Sequence, residues 1–340
     1  MNYCIRIFSL CLGLLLCTSC GKEEPVELFN YDCEVIAFFP PEGIEAHSFS
    51  GLVYQGLYRA TADRQVLFRP VLPTTYDDGL KRIQQSTFYN MQGVKRLIVI
   101  TDPTYVKGLV ERGIADNIID TDSTKVVVLG SNVDHPKLYS AHIPPYGVMY
   151  KAGYIASKMD DVERARVYVV NQSHDYYIEA VEGFKQGYER DGKRLDGVDN
   201  LEDQVIDDRV GFSLRQELYA IHAKEYADMC DLVMPMCRET AMGFYRYNRE
   251  NPGAFYTLGM DIDMSDYAND VPYSCISRWD SVAEQVVADW DANRLERSQC
   301  YGLEDGYTAI VAASRFKQTI QPLSDEIHNE AIQRENEYVR

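Results

Sequence analysis

The sequence predicts an α/β protein of two Rossmann-like lobes with parallel sheets around a cleft. Short, almost wholly apolar runs alternate with segments of helical periodicity, which is the pattern of buried parallel strands joined by helices. The alternation runs to about residue 143 and then restarts, which indicates a second lobe. A chain of 340 residues is long enough for two domains of ordinary size.

The N-terminus predicts an export signal, which we place at residues 1–19. Arg6 supplies a positive charge, and residues 7–16 form an apolar run. At 1.5 Å per residue, about ten residues span ~15 Å, half the hydrocarbon thickness of a bilayer. The run therefore suits a cleaved signal better than a permanent membrane span.

Small residues precede Cys20, which resembles the lipobox of bacterial lipoproteins, where this cysteine is acylated and becomes the mature N-terminus. We expect a lipid-anchored membrane protein of the bacterial cell envelope, on the periplasmic face or at the cell surface. The alternative is an ordinary secretory signal with an incidental cysteine. Residues 20–31 are polar and acidic and predict a linker.

The composition argues against nucleic acid as a partner. The net charge is −18, and a protein this acidic has no excess of basic side chains to displace counterions from a phosphate backbone. The cysteines that follow Cys20 number five, and their spacing matches no zinc pattern. They are Cys33, Cys230, Cys237, Cys275 and Cys300. We expect no metal and no cofactor, and an odd number of thiols leaves at least one without an intramolecular partner.

The first lobe is predicted at residues 32–143 together with about 278–296. Residues 33–39 form an apolar run closed by two prolines, as expected of a buried strand, and residues 48–57 carry apolar side chains at helical spacing. The further predicted elements are strands at 65–72, 96–101 and 125–129, a helix at 77–91 and a returning helix at 281–293.

The second lobe is predicted at residues 144–277 together with about 298–318. The remaining residues, 319–340, predict a C-terminal helical segment. The predicted helices of this lobe are 146–158, 176–190, 212–226 and 239–248, and its strands are 166–170, 201–206, 231–234, 255–258 and 273–276.

Ligands of open α/β sheets bind beyond the carboxyl ends of the strands, so the candidate site lies in the loops that follow strands. Two lobes that face one another can close around a small molecule by hinge motion. The six loops are residues 40–50, 101–105, 130–134, 171–177, 236–240 and 259–263.

Four segments, at residues 150–156, 179–187, 259–263 and 301–306, together resemble the basic-membrane-protein (BMP) family of substrate-binding lipoproteins. Their order and spacing cover nearly the whole mature chain. That family has the type I periplasmic-binding-protein fold, and many members bind purine nucleosides for an ABC importer. The resemblance implies a nucleoside-like small-molecule ligand and an ABC permease as partner.

Two residues match ligand contacts of that family. Phe49, after Ser48, corresponds to the phenylalanine that stacks on the base, and Asp261 corresponds to the aspartate that holds the ribose hydroxyls. Each residue also has a structural alternative, since Phe49 has core neighbours at helical spacing and Asp261 suits a turn or a helix cap.

The sequence also departs from the family pattern. Ala46 and Ser50 replace an acidic residue and an amide, and Arg238 lies where the family has a glycine-rich loop. The planar guanidinium of Arg238 suits an anionic or carbonyl group, although a surface salt bridge is the alternative. Asp175 and Tyr176, in a loop after a strand, are further candidates for lining the cleft.

The signals for catalysis are poor. The sequence lacks the Gly-x-Ser-x-Gly elbow and the phosphate-binding Gly-x-x-x-x-Gly-Lys motif, so we expect a binding protein and no enzyme. The leading hypothesis is a membrane-anchored solute-binding lipoprotein of an ABC-type importer. The alternatives are a ligand sensor or surface-assembly lipoprotein that acts through a protein partner, and, with least support, a hydrolase whose carboxylates meet in the cleft.

Overall fold

In a computed structural model, the described residues are 31–339 with gaps at 42, 45, 47, 63, 65, 89–93, 122, 170–174, 201–225 and 238–240. Helices and strands alternate along this part of the chain, as the sequence predicts. The strands are β1 (Cys33–Phe38), β2 (Val66–Val71), β3 (Lys95–Ile100), β4 (Thr124–Leu129), β5 (Tyr139–His142), β6 (Ala165–Val169), β7 (Gly197–Asn200), β8 (Leu232–Met236), β9 (Tyr256–Thr257), β10 (Gly259–Asp261), β11 (Tyr273–Ser277), β12 (Ser298–Cys300) and β13 (Thr308–Ala312). The helices are α1 (Phe49–Ala62), α2 (Tyr76–Phe88), α3 (Thr104–Glu111), α4 (Tyr146–Lys158), α5 (Asp175–Glu189), α6 (Met242–Glu250), α7 (Trp279–Asp291), α8 (Lys317–Glu326) and α9 (His328–Val339).

The first lobe is built on a six-stranded sheet in the order β12-β5-β4-β3-β1-β2, and every neighbouring pair in it is parallel. The central strands β1, β3 and β4 are buried along almost their whole length, because their side chains are apolar on both faces. Helices α1 and α7 contribute to the core on one face of the sheet, and α2 and α3 to the core on the other.

The second lobe has a parallel four-stranded sheet, β7-β6-β8-β9, and a separate three-stranded sheet, β10-β11-β13. In the smaller sheet β13 runs antiparallel to β11, where the sequence predicted parallel sheets alone. Between β11 and β13 the chain passes through α7 and β12 of the first lobe, and it returns to the smaller sheet in the opposite direction.

The chain passes between the lobes at three crossovers, after β5, after β11 and after β12. Strand β12 pairs with β5 in the first sheet, whereas the sequence prediction assigned residues from about 298 to the second lobe. The third crossover therefore begins only at Tyr301. The short, largely exposed β12 offers no apolar run from which its place could be read.

Two predicted elements of the second lobe, the strand at 201–206 and most of the helix at 212–226, lie outside the described residues, as does the N-terminal segment with Cys20. Within the described part, no helix combines the length and apolarity needed to cross a bilayer. In the described part of the chain, none of the five cysteines from Cys33 onward forms a disulfide.

Candidate functional site

A narrow slot lies between the carboxyl ends of strands from the two lobes. Its lining includes residues from five of the six predicted loops, and the loop at 101–105 contributes no lining residue. The lining residues are Phe49, Gly130, Tyr176, Tyr177, Met236, Met260, Asp261 and Trp279.

The wall from the first lobe is aromatic. Phe49 and Trp279 are the first residues of α1 and α7, and their rings meet edge-to-face with centroids 4.7 Å apart at 79°. Both are almost completely buried, at 6% and 2% exposed. Phe49 thus belongs to the core and also borders the slot, so the two alternatives weighed for it from the sequence are compatible.

Gly130 allows the Phe49 ring to pack close to the backbone that follows β4. Its φ of +82° lies in the left-handed region, and a Cβ at this position would stand 3.2 Å from Cζ of Phe49 and 3.2 Å from Cγ of Pro103. A larger residue would combine backbone strain with pressure on the Phe49 ring. The glycine that follows β4 is therefore part of the slot's shape.

The wall from the second lobe carries two more rings and two thioethers. Tyr176 and Tyr177 lie in the first turn of α5 with ring centroids 5.5 Å apart at 84°. Met236 ends β8, and Met260 lies in β10. A flat molecule between the walls would meet aromatic or polarizable surface on both sides.

Asp261 is the acidic residue of the slot, and its backbone is unusual. Its φ of +63° is in the left-handed region, and the N–H of Ile262 donates to the carbonyl of Met260 at 2.7 Å, which closes a three-residue turn about Asp261. Such turns are rare and strained, and strain of this kind concentrates at functional positions. The turn predicted as the structural alternative for Asp261 is present, and it holds this residue at the slot.

The charge of Asp261 acts on its buried neighbours. The pKa of Tyr245 and that of Cys275 are both raised, mainly by burial and additionally by the nearby carboxylate of Asp261. Both groups therefore stay neutral at physiological pH.

The slot is nearly closed. Its volume is about 30 Å³, whereas pockets for drug-sized ligands occupy roughly 300–1,000 Å³. A volume of this size holds little more than a water molecule, so a ring-sized ligand requires the walls to move apart.

A second cavity of about 290 Å³ adjoins the slot and shares Gly130 and Tyr176 with it. We call it the hinge cavity, since Ile143 and Pro145 of the first crossover line it. Asp175 lies here and is absent from the slot's lining. The remaining lining residues are Ser131, Asn132, His142, Glu179, Tyr338 and Val339.

Burial dominates the electrostatics of the hinge cavity. It raises the pKa of Glu179 to about 7, with smaller contributions from the charges of Glu335 and Asp175, while a weak hydrogen bond from the Tyr146 N–H opposes the shift. Burial also lowers the pKa of His142. Burial therefore favours the neutral form of each side chain.

The pKa of Glu179 predicts a pH-dependent stability. The folded state holds its proton up to about pH 7 and the unfolded state only to about pH 4.5, so the free energy of unfolding should fall as pH rises between these values. We expect roughly 1–3 kcal/mol over this window, at 1.36 kcal/mol per pKa unit.

Urea unfolding at pH 4.5 and pH 7.5 measures this effect, because Glu179→Gln should lose less stability than the wild type over the same interval. Glu182→Gln, one turn further along α5, is the matched control and should follow the wild type. Parallel curves for the wild type and Glu179→Gln would contradict the assignment.

The other predicted site residues are placed as follows. Ser48 is buried outside the slot's lining, and its Oγ lies 2.9 Å from Ser50 Oγ and 3.4 Å from the N–H of Gly51, as in a helix cap for α1. Arg238 lies outside the described residues. Trp279 was not identified from the sequence. A usable signal was present, since the chain has only two tryptophans and this one lies just after a late predicted strand.

Metal chemistry finds no support in the described residues, where no three histidine, cysteine or acidic side chains are grouped to hold an ion. The rings of the slot offer a surface for a flat molecule, and the carboxylate of Asp261 offers an acceptor for hydrogen-bond donors.

No family model and no curated protein matches the sequence. Among solved structures, a solute-binding protein of an ABC transporter system from Aeropyrum pernix K1 gives a TM-score of 0.67 at 14% identity, over 90% of this chain and 89% of that one. A transcriptional activator of the comK gene from Bacillus halodurans gives 0.65 at 14% identity, over 88% and 97%. An ABC transporter solute-binding protein from Burkholderia graminis C4D1M, in complex with D-arabinose, gives 0.59 at 12% identity, over 83% and 95%.

At these identities the similarity establishes the fold, which is that of type I periplasmic-binding-protein-like proteins. The predicted fold class is confirmed. Membership of the basic-membrane-protein family stays a prediction, since no family model matches the chain.

Proposed function

We propose that this chain is a solute-binding lipoprotein of the bacterial cell envelope that captures a small polar ligand with a flat ring, a purine nucleoside, and delivers it to an ABC permease. The observation that carries the proposal is the slot itself, which has aromatic rings on both walls and the carboxylate of Asp261 between them.

The chemistry of a nucleoside suits these groups. A base stacked on an aromatic face gains ~0.5–1.5 kcal/mol beyond the burial of its surface. The two adjacent hydroxyls of a ribose can both donate to one carboxylate in charge-assisted hydrogen bonds. A nucleoside therefore uses both kinds of group in the slot, whereas a free base lacks the pair of adjacent hydroxyls.

The closed slot favours capture by hinge motion. A ligand enters while the lobes are apart, and closure brings Phe49 and Trp279 toward Tyr176 and Met260 with the ligand between them. The closed shape around a ligand would then differ from the open shape, which gives a permease a means of recognising the loaded protein.

Calorimetry with matched ligands tests the specificity. We would titrate adenosine, guanosine and inosine, their free bases, ribose and D-arabinose into the mature protein. Binding of nucleosides above bases and pentoses is the expected result. Binding of pentoses alone would replace the nucleoside by a sugar, and the absence of heat with every compound would remove the specificity claim.

The lipid anchor rests on the sequence around Cys20. Replacing Cys20 with serine removes the thiol that is acylated, so the protein should move from the membrane fraction to the soluble fraction of the envelope and lose incorporation of labelled palmitate. Cys17→Ser is the matched control and should leave both readouts unchanged. Retention of Cys20→Ser in the membrane would contradict the anchor.

The second candidate function is a ligand sensor that acts through a protein partner without transport. It is favoured by the fold's occurrence in transcriptional regulators as well as in solute-binding proteins. The two functions differ in the cognate partner, so crosslinking in the native envelope separates them: recovery of a permease supports import, and recovery of a signalling or assembly protein supports sensing.

A further inference from the structure

The three crossovers between the lobes are joined to one another. The N–H of Arg278 in the second crossover donates to the carbonyl of Tyr307 in the third at 2.8 Å, and the N–H of Tyr307 donates to the carbonyl of Gly302 at 3.2 Å. The first and third crossovers are connected by a side chain from a distant part of the chain, Glu335 of α9.

Glu335 is a carboxylate buried at this junction, with 4% of its surface exposed. Its Oε1 accepts the N–H of Leu303 at 2.7 Å, and its Oε2 accepts the N–H of Gly147 at 2.9 Å. Leu303 lies in the third crossover, and Gly147 lies in the first turn of α4, directly after the first. One carboxylate therefore links two of the three connections.

The close approach of this carboxylate depends on two glycines. A Cβ at Gly147 would stand 2.5 Å from Oε2 of Glu335, and a Cβ at Gly302 would stand 2.5 Å from Oε1. Any other residue at either position would push the carboxylate away. The two glycines therefore leave the space that the Glu335 carboxylate occupies between them.

Helix α9, which carries Glu335, is held firmly along α4. Tyr150 donates its hydroxyl to Glu330 at 2.6 Å, and Tyr154 donates to Glu326, the last residue of α8, at 2.7 Å. Tyr146 stacks on Tyr338 with centroids 4.6 Å apart at 23°. The three tyrosines recur every four residues on one face of α4, so the C-terminal helices belong mechanically to the second lobe.

We propose that Glu335 is a positioning residue that fixes the pivot of the interlobe motion. By tying the third crossover to α4, it makes the chain from Leu303 onward part of the second lobe. Within the first and third crossovers, bending is then confined to the first-lobe side, near His142–Pro145 and Tyr301–Gly302. The two walls of the slot consequently separate and return along one path, which keeps Phe49 and Trp279 aligned with Tyr176 and Asp261.

The test is the distance between the lobes in the absence of ligand. A keto amino acid is encoded at two exposed positions, Lys81 in α2 and Lys185 in α5, and carries the spin labels. This chemistry leaves the native thiols unmodified. Electron double resonance should give a narrow distance distribution for the wild type, a broad and shifted one for Glu335→Ala, and an intermediate one for Glu335→Gln, which keeps a single acceptor oxygen.

Glu337→Ala is the matched control, since Glu337 lies on the exposed face of the same helix and bonds Gln333. If Glu335→Ala fails to fold by circular dichroism, Gly302→Ala decides, because it displaces the carboxylate while leaving α9 intact. Distributions for Glu335→Ala or Gly302→Ala that match the Glu337→Ala distribution would overturn the proposal.

Ligand affinity provides a second readout. A hinge that samples more orientations populates the closed state less, and the apparent affinity falls in proportion. We expect about a tenfold loss of affinity for Glu335→Ala, which corresponds to a roughly tenfold lower population of the closed state. The distance measurement needs no ligand, so it stands or falls independently of the proposed nucleoside.

Discussion

Replacing Asp261 with asparagine is expected to weaken nucleoside binding by roughly 10–100-fold. Hydrogen bonds to a charged group contribute ~1.5–3 kcal/mol, and asparagine keeps only one acceptor oxygen and brings no charge. Asparagine also tolerates the left-handed backbone that Asp261 adopts, so the fold should be preserved. Calorimetry of the purified variant measures the change.

Asp261→Gly separates binding from strain. Glycine adopts a φ of +63° at little cost, so the variant should gain ~0.5–1 kcal/mol in its free energy of unfolding while losing nucleoside affinity. Asp266→Asn, an exposed acid nearby, is the control and should change neither property. Unaltered affinity in both Asp261 variants would exclude this residue as a ligand contact.

Truncating Trp279 to alanine should lower the free energy of unfolding by ~3–5 kcal/mol, the usual cost of removing a buried aromatic side chain. The ring is 2% exposed and packs against Phe49 between α1 and α7. Its loss leaves a cavity beneath the slot that the edge-to-face partner cannot fill. Equilibrium urea unfolding followed by circular dichroism gives the value.

Two further variants calibrate this result. Trp279→Phe keeps a ring in place and should recover most of the lost stability. Tyr58→Ala removes an aromatic ring that is 56% exposed on α1, and surface changes of this kind fall within about 0.5 kcal/mol. A Trp279→Ala protein as stable as Tyr58→Ala would mean that the indole contributes little to the core.

The sequence was most informative where one pattern extended over many residues. Helix α4 has the bounds predicted from its periodicity, and the buried strands β1, β3 and β4 lie within a residue of their predicted ends. The loops predicted to form the site supply both walls of the slot. Continuous apolar runs and the rule that ligands bind at carboxyl ends of strands were sufficient for these results.

The sequence was less informative where the decisive contact is distant along the chain. Trp279 meets Phe49 across 230 positions, and Glu335 binds the backbone of Gly147 across 188. No local spacing reports such a pairing. Strands β10 and β12 have three residues each, too short for an alternation to be recognised, and β13 was missed together with its antiparallel pairing.

The first lobe is assembled from both ends of the chain, because β12 completes its sheet and α7 its core. An emerging polypeptide cannot bury the apolar faces of Phe49, Val53 and Leu57 against α7 until about residue 290 has been synthesised. Contacts between residues so far apart in sequence slow the folding reaction. We therefore expect this lobe to acquire its native packing late, with the nascent N-terminal half remaining unfolded while the rest of the chain is made.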